Sequence, residues 1–254
     1  MSDLSLSLTG KAALITGGSR GIGRAIAIRL AEAGVNVAIN YLRQRTAADE
    51  TVSLIESHGV KALAIRANVG EAENIHDMVN QVKNTFGRLD ILISNAASGV
   101  LKPALELTPR HWQWTMNINA GTLLPLTQES VPLMTHGGVI IAVSSLGSVR
   151  AIPNYSAVGA SKAALESLIR HLALELAPHK IRVNAVSAGV VDTDALKHFP
   201  NRDSLLGESS KRTPTGRLTT PEDVANVVLY LCSPFAEQIQ GQTIVVDGGY
   251  SILA

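Results

Sequence analysis

The chain has 254 residues, enough for one large domain or two small ones, and is 46% hydrophobic against 17% charged, which supplies ample material for a buried core. Aromatics are only 4%, so the apolar content is mostly Ala, Val, Ile and Leu, as buried parallel strands and their covering helices require. A net charge of +1 without a dense Lys/Arg stripe argues against a nucleic-acid partner, the lone Cys232 excludes an intrachain disulfide or a multi-cysteine metal site, and no run of eighteen apolar residues exists to span a membrane.

The opening stretch MSDLSLSLTGK lacks the basic region and long apolar core of a secretory signal, so a cytoplasmic protein is expected. From there, strand-like and helix-like segments alternate. Strands are predicted at 11–16 (KAALIT), 35–40 (VNVAIN), 61–67 (KALAIRA), 89–94 (LDILIS), 138–144 (GVIIAVS), 181–187 (IRVNAVS) and 243–248 (TIVVDG). Helical stretches lie between them, such as IGRAIAIRLAEAG with Gly34 as its stop and the amphipathic 71–87. Cys232 falls at a buried helix end. Strands separated by helices imply right-handed crossovers, hence a single-domain, doubly wound parallel α/β sheet of about seven strands with helices on both faces, over 1–254. One stretch, 192–216, is polar, contains two prolines and shows no clear periodicity. It reads as a substrate lid, or as a variable surface excursion.

TGGSRGIG, 16–23, follows the first strand and opens the first helix. Gly17, Gly21 and Gly23 permit a tight turn and close backbone approach to a phosphate, and the exposed N–H groups of the helix start supply positive potential. That context points to a dinucleotide. An NAD site usually ends its second strand with a carboxylate for the ribose 2′-OH. Here that end reads INYLRQR, with no acidic residue from Val35 to Ala48. Arg20, Arg43 and Arg45 offer guanidinium groups for a 2′-phosphate instead, so NADP(H) is the expected cofactor. At least one of these arginines is an ordinary solvated charge.

With TGGSRGIG, ANV at 67–69, SNAA at 94–97, NIN at 117–119, VSS at 143–145, Lys162 and VDGG at 246–249, the chain resembles the short-chain dehydrogenase/reductase family over essentially its whole length. The resemblance implies a Rossmann-type fold and an Asn-Ser-Tyr-Lys tetrad, here Asn119, Ser145 and Lys162, with the tyrosine displaced. It also implies cofactor contacts from Gly17, Ser19, Arg20, Gly21, Ile22, Gly23, Tyr41, Arg43, Asn68, Val69, Asn95, Ala96, Lys162, Gly189 and Thr193. SAG at 187–189 stands where most members have Pro-Gly, which leaves the nicotinamide-side contacts open. Four residues before Lys162, where the family places its tyrosine, stands Val158; the nearest tyrosine is Tyr155, seven before the lysine. This wider spacing resembles the enoyl-acyl carrier protein reductases. NAASGVLKP (95–103), HWQWTMNINA (111–120) and DTDALKHFPNR (192–202) resemble their group III (FabL-like) members most closely.

The spacing has a chemical reading. Positions i, i+4 and i+7 share a helix face, so moving the tyrosine back by three residues keeps its direction and slides it by ~4.5 Å at ~1.5 Å per residue. A ketone needs its acid beside the carbon that takes hydride. An enoyl thioester takes hydride at C3 while charge builds on the thioester oxygen two carbons away. Tyr155 is then expected to bind the enolate oxygen, with Lys162 on the nicotinamide ribose and its charge lowering the phenol's pKa. Ser145 assists at the oxygen or the substrate, and Asn119 holds a water. His111, Trp112 and Trp114 are expected to pack rather than react. Lys197, His198, Arg202, Lys211 and Arg212 concentrate in the lid, where they suit an acidic acyl carrier protein or are plain surface charge. The substrate is thus a thioester of acyl carrier protein or coenzyme A in fatty-acid synthesis. The resemblance further implies a homotetramer, a dimer being the smaller option, with 105–136 and 155–177 as interface segments. Two other readings stay open: a carbonyl or 3-ketoacyl reductase of the same family, and a catalytically weak NADP(H)-binding sensor.

Overall fold

A computed structural model describes residues 8–193 and 202–253. Seven parallel strands form one sheet in the order β3-β2-β1-β4-β5-β6-β7. They are β1 (Ala12–Ile15), β2 (Asn36–Tyr41), β3 (Ala62–Arg66), β4 (Ile91–Ser94), β5 (Gly138–Ser145), β6 (Ile181–Ala188) and β7 (Thr243–Val246). Each lies within two residues of its predicted span, the usual uncertainty of strand ends. The helices are α1 (Gly21–Glu32), α2 (Arg45–Glu56), α3 (Ala72–Phe86), α4 (Pro109–Met116), α5 (Leu123–Ser130), α6 (Ser156–Leu176), α7 (Arg202–Arg212) and α8 (Pro221–Cys232).

Side chains of a strand alternate between faces, and the core divides accordingly. Ile15, Val37, Ile39, Ile91, Ile93 and Ile141 pack with α1, α2 and α8. Leu14, Ala38, Leu92, Ile140 and Ala142 pack with α3, α5 and α6 on the other side. Both faces are dry, which explains why the strands read as continuous apolar runs. Cys232 is 1% exposed. Burial pushes its thiol up to about 12, against the opposing charges of Arg182 and Lys11, so the packing role expected for it holds.

Strand order reverses between β1 and β4, where crossovers leave toward opposite edges. A crevice opens there beyond the carboxyl ends of the strands, which is where open α/β sheets bind ligands. The glycine turn after β1, the 95–103 loop after β4 and the VSS end of β5 all converge on it.

Candidate active site

The turn from β1 to α1 is built around positions that admit no side chain. Gly17 and Gly21 have φ of +65° and +55°, a region open chiefly to glycine. A Cβ on Gly23 would run into the Gly17 carbonyl. Arg20 precedes α1 in extended conformation and makes no side-chain cap, and the first turn contains no acidic residue. The first N–H groups of α1 therefore face the crevice with positive potential and without a side-chain acceptor from Arg20. This backbone cradle fits a phosphate-bearing dinucleotide.

Asn40, Thr16 and Asn95 hold the cradle in shape. Asn40 is 3% exposed; its Oδ1 accepts from Gly17 N at 3.3 Å and its Nδ2 donates to the Ala67 carbonyl at 2.9 Å. Thr16 Oγ1 accepts from the backbone N–H groups of Asn95 and Ala96 at 2.9 and 3.0 Å. The Asn95 amide in turn donates to the carbonyls of Thr16 and Gly17 at 2.9 and 3.1 Å. The Asn95 side chain, expected at the cofactor site, is turned to the glycine loop of that site. Asn40 and Thr16 were missed, although a polar residue ending the apolar run VNVAIN was the available signal. Ser19 is buried, and its carbonyl accepts from Arg24 Nε at 3.0 Å and Thr51 Oγ1 at 3.1 Å. Ile22 is half-buried in the first turn of α1, Tyr41 is buried at the end of β2, and Arg20 and Arg43 are exposed beside that edge. Arg45 is exposed and lies 3.6 Å from Asp49 one helical turn on. Val69 is buried, and Asn68 Oδ1 accepts from Gly70 N at 3.1 Å. Thr193 lies on the other side of the cradle, its Cγ2 3.4 Å from where a Cβ on Gly21 would stand. Gly189 lets the chain after β6 approach Asp247, whose Cβ lies 2.8 Å from a Cβ built on the glycine.

At the end of β5 the structure gathers Ser145, Tyr155 and Lys162. Tyr155 stands immediately before α6, and its carbonyl accepts the first helical bond, from Gly159 N at 2.7 Å. Asn154 before it adopts φ of +61°, a left-handed turn that feeds the tyrosine onto the helix. Tyr155 Oη lies 3.3 Å from Ser145 Oγ. Lys162 is 6% exposed and donates from Nζ to the Val143 carbonyl at 2.7 Å. The Tyr155 ring lies against Gly147: a Cβ there would stand 2.5 Å from its Cε1 and 2.6 Å from its Cδ1. Gly159 makes the companion contact, a Cβ on it falling 2.6 Å from the Gly147 carbonyl. Room for a tyrosine at 155 thus depends on two glycines that were not singled out beforehand. Val158, at the family's usual tyrosine position, is buried against Gly99 and near Thr115.

Asn119 lies in a π turn, Asn117–Gly121, at 2% exposure. Such turns are common at functional sites. Its Oδ1 accepts from Ser98 N at 2.8 Å, and its Nδ2 donates to Ser161 Oγ at 3.0 Å. The side chain thus ties the 95–103 loop to the residue before Lys162.

Burial dominates the acid-base character of the pair. The Tyr155 phenol is raised from its ordinary value by desolvation, and the Ser145 hydrogen bond opposes only part of the rise. The expected lowering by Lys162 is thus overturned in the protein on its own. Lys162 itself falls from 10.5 to about 8 because burial disfavours its charge, with Glu166 pulling it back up.

The 192–216 stretch differs from its reading as irregular. Its described part contains α7, followed by a turn at 213–216 that packs Thr215 and Thr213 against Gly248. The expected basic cluster is partly engaged: Arg202 Nη2 pairs with Asp192 Oδ1 at 2.5 Å, and Arg212 sits 5.2 Å over the Tyr250 ring. Lys197 and His198 lie outside the described residues. His111 closes a capping box with Thr108 at the start of α4. Trp112 and Trp114 are 44% and 45% exposed, so the packing expected of them covers only part of each side chain within this chain.

A family profile described as Enoyl-(Acyl carrier protein) reductase matches residues 17–251. The chain is 40% identical over 243 residues to 1-cyclohexenylcarbonyl-CoA reductase of Streptomyces collinus, covering 95% of this chain and 87% of that protein. It is 36% identical over 253 residues to a versicolorin reductase of Emericella nidulans, covering 95% and 96%. Among solved structures, 7α-hydroxysteroid dehydrogenase complexed with NADH and 7-oxo glycochenodeoxycholic acid superposes with a TM-score of 0.92 at 34% identity, covering 96% of both chains. No helix among the described residues is long and apolar enough to cross a membrane. With its seven-stranded sheet, its glycine cradle and relatives of this kind, the chain belongs to the short-chain dehydrogenase/reductase family and is an oxidoreductase that works with a nicotinamide cofactor.

Proposed function

We propose that the protein reduces the C2=C3 double bond of trans-2-enoyl thioesters with NADPH, as an enoyl-acyl carrier protein reductase of the group III type in fatty-acid synthesis. The observation that carries this reading is the Tyr155–Ser145 pair at 3.3 Å, seven residues ahead of a buried Lys162, while Val158 is packed away at the usual tyrosine position. The relative named for a cyclohexenylcarbonyl-CoA supports a C=C substrate carried as a thioester.

The turn Gly17, Ser19, Gly21, Ile22 and Gly23 would hold the pyrophosphate, and Tyr41, Arg20 and Arg43 the adenosine end with its 2′-phosphate. Asn68, Val69 and Ala96 would flank the base and ribose, with Asn95 behind them; Lys162, Gly189 and Thr193 would hold the nicotinamide end. The chemistry such a cofactor supplies is a hydride at C3. As charge moves to the thioester oxygen, Tyr155 donates a hydrogen bond to it, a contact that strengthens only in the transition state, and a proton from solvent at C2 then gives the saturated thioester. A phenol raised by burial stays protonated at neutral pH and remains a donor. Ser145 orients the phenol hydroxyl, Lys162 fixes the ribose, and Asn119 keeps the 95–103 loop registered on α6. The segment 192–216 would close over the acyl chain, with exposed Lys211 facing an acidic carrier or coenzyme A. A homotetramer would cover exposed Trp112, Trp114, Leu124 and Leu174 on α4, α5 and α6.

The test is NADPH oxidation with crotonyl-CoA against acetoacetyl-CoA, repeated with NADH. Crotonyl-CoA is expected to be turned over, NADPH to be preferred, and acetoacetyl-CoA to be left unchanged. Ketone reduction without enoyl reduction would assign the site to the carbonyl reductases instead. Gly147→Ala probes the same pocket from the side. Gly147 has no left-handed backbone to defend, so the variant is expected to fold normally. The added methyl displaces the Tyr155 ring, and misplacement on the scale of 1 Å costs about 10²-fold in kcat. Thermal unfolding and steady-state rates measured together check it; full activity would show that the ring position is not critical.

A further inference from the structure

Three consecutive residues at the end of β5 each grip a different polar side chain on α6 or at the residue just before it. The Val143 carbonyl accepts from Lys162 Nζ at 2.7 Å, Ser144 Oγ donates to Glu166 Oε1 at 2.5 Å, and Ser145 Oγ meets Tyr155 Oη at 3.3 Å. Tyr155 stands just before α6, and Lys162 and Glu166 are i and i+4 on one face of it. The first and second belong to the proposed chemistry. Glu166 does not, yet it is a carboxylate only 7% exposed, one turn beyond the lysine.

A buried carboxylate is costly unless it is hydrogen-bonded and faces a positive charge. Ser144 supplies the hydrogen bond. Lys162 supplies the charge, though each has its own direct partner and the two act on each other through the intervening low-dielectric interior. On α6 itself, Arg170, one turn beyond Glu166, is exposed, as are His171 and Glu175. Of the elements packed on α6, β5, the Leu146–Ser148 turn and the π turn bring no titratable side chain, and β6 brings only Arg182, which is engaged with the carbonyls of Leu231, Ser233 and Ala236. From α4, Arg110 is exposed and His111 is tied into its own helix cap. His179 beyond the far end of α6 is exposed, and Tyr155 is neutral at physiological pH.

We propose that Glu166, aimed by Ser144, is a positioning residue that keeps Lys162 in its ammonium form and fixed on the Val143 carbonyl, ready for the nicotinamide ribose. Lys162, already brought down to about 8 by burial, would without this carboxylate lose its proton within the working range. The proposal rests on the role given to Lys162 above, but its test does not need turnover. Cofactor-free protein carrying ¹³C/¹⁵N-labelled lysine is titrated by NMR, the Lys162 signal being assigned by its absence in Lys162→Gln. In Glu166→Gln, which keeps shape and can still accept from Ser144, the Lys162 midpoint is expected to fall by about one pH unit or more. Ser144→Ala, which removes the donor, is expected to move it the same way by less, and serves alone if Glu166→Gln does not fold. A midpoint unmoved in the variants that fold would overturn the proposal and leave Glu166 a packing residue. In turnover, the alkaline limb of the pH profile should move down with the midpoint. Absence of enoyl activity in the wild type would sink the functional reading while leaving the titration result intact.

Discussion

Replacing Tyr155 with phenylalanine is expected to remove crotonyl-CoA reduction by about 10²–10³-fold in kcat, the usual cost of losing one donor to a developing oxyanion. The ring is retained, so its packing on Gly147 and Gly159 survives. The Oη–Ser145 hydrogen bond is lost, worth about 1 kcal/mol of stability. NADPH affinity should stay near the wild-type value, because Lys162 and the glycine cradle are untouched. That split between binding and turnover separates a chemical role from a structural one. Activity within a few fold of wild type would remove the tyrosine from the mechanism. Adding Val158→Tyr to this variant restores the commoner family spacing and is expected not to rescue enoyl reduction. Val158 packs against Gly99 and beside Thr115, so a larger side chain there must displace the 95–103 loop. Rescue would instead show that either position reaches the same oxygen.

Much of this site was legible because its parts are local. A glycine turn and a helix start lie within 16–23 directly after β1, and the tyrosine and lysine, picked out by the family resemblance, lie within eight residues of one another. The apolar runs mark the strands because both sheet faces are covered. What escaped depends on contacts between distant segments. Glu166 reads as one more polar residue in SKAALESLIR until β5 brings Ser144 to it. Gly147 matters only because the Asn154 turn lays the Tyr155 ring over it. The polar segment RDSLLGESSKR lacks a clear apolar stripe, so α7 was not recognisable from period alone. Trp112 and Trp114 were assigned to packing on residue type, but α4 leaves nearly half of each exposed. The mistaken direction for the phenol came from weighing charge without burial; desolvation of Tyr155 outweighs it.

Lys162→Met is expected to cripple the enzyme while making the protein more stable. In the wild type the lysine falls from 10.5 to about 8 on folding. At pH 7 both folded and unfolded chains bind this proton, so the full cost of burying the charge is present, about 3 kcal/mol at 1.36 kcal/mol per pKa unit. Methionine removes that cost in a similar volume, the lost attraction to Glu166 being already counted in the net fall to about 8. The Val143 carbonyl then loses its donor, which returns about 1–2 kcal/mol. The net gain is about 1–2 kcal/mol, or roughly 2–8 °C in Tm for a chain of this size. The sign with pH is fixed by the direction of the shift. Between about 8 and 10.5 the folded lysine has lost its proton while the unfolded one keeps it, so wild-type stability rises with pH and the advantage of the variant shrinks. Loss of a charge-assisted hydrogen bond worth about 1.5–3 kcal/mol should meanwhile weaken NADPH binding by about 10- to 100-fold. Denaturant unfolding at pH 7 and above pH 10, alongside fluorescence titration with NADPH, measures both halves. A variant less stable than wild type at pH 7, with the difference unchanged at alkaline pH, would mean that the buried lysine is held at no cost and that its burial is not a strain maintained for function.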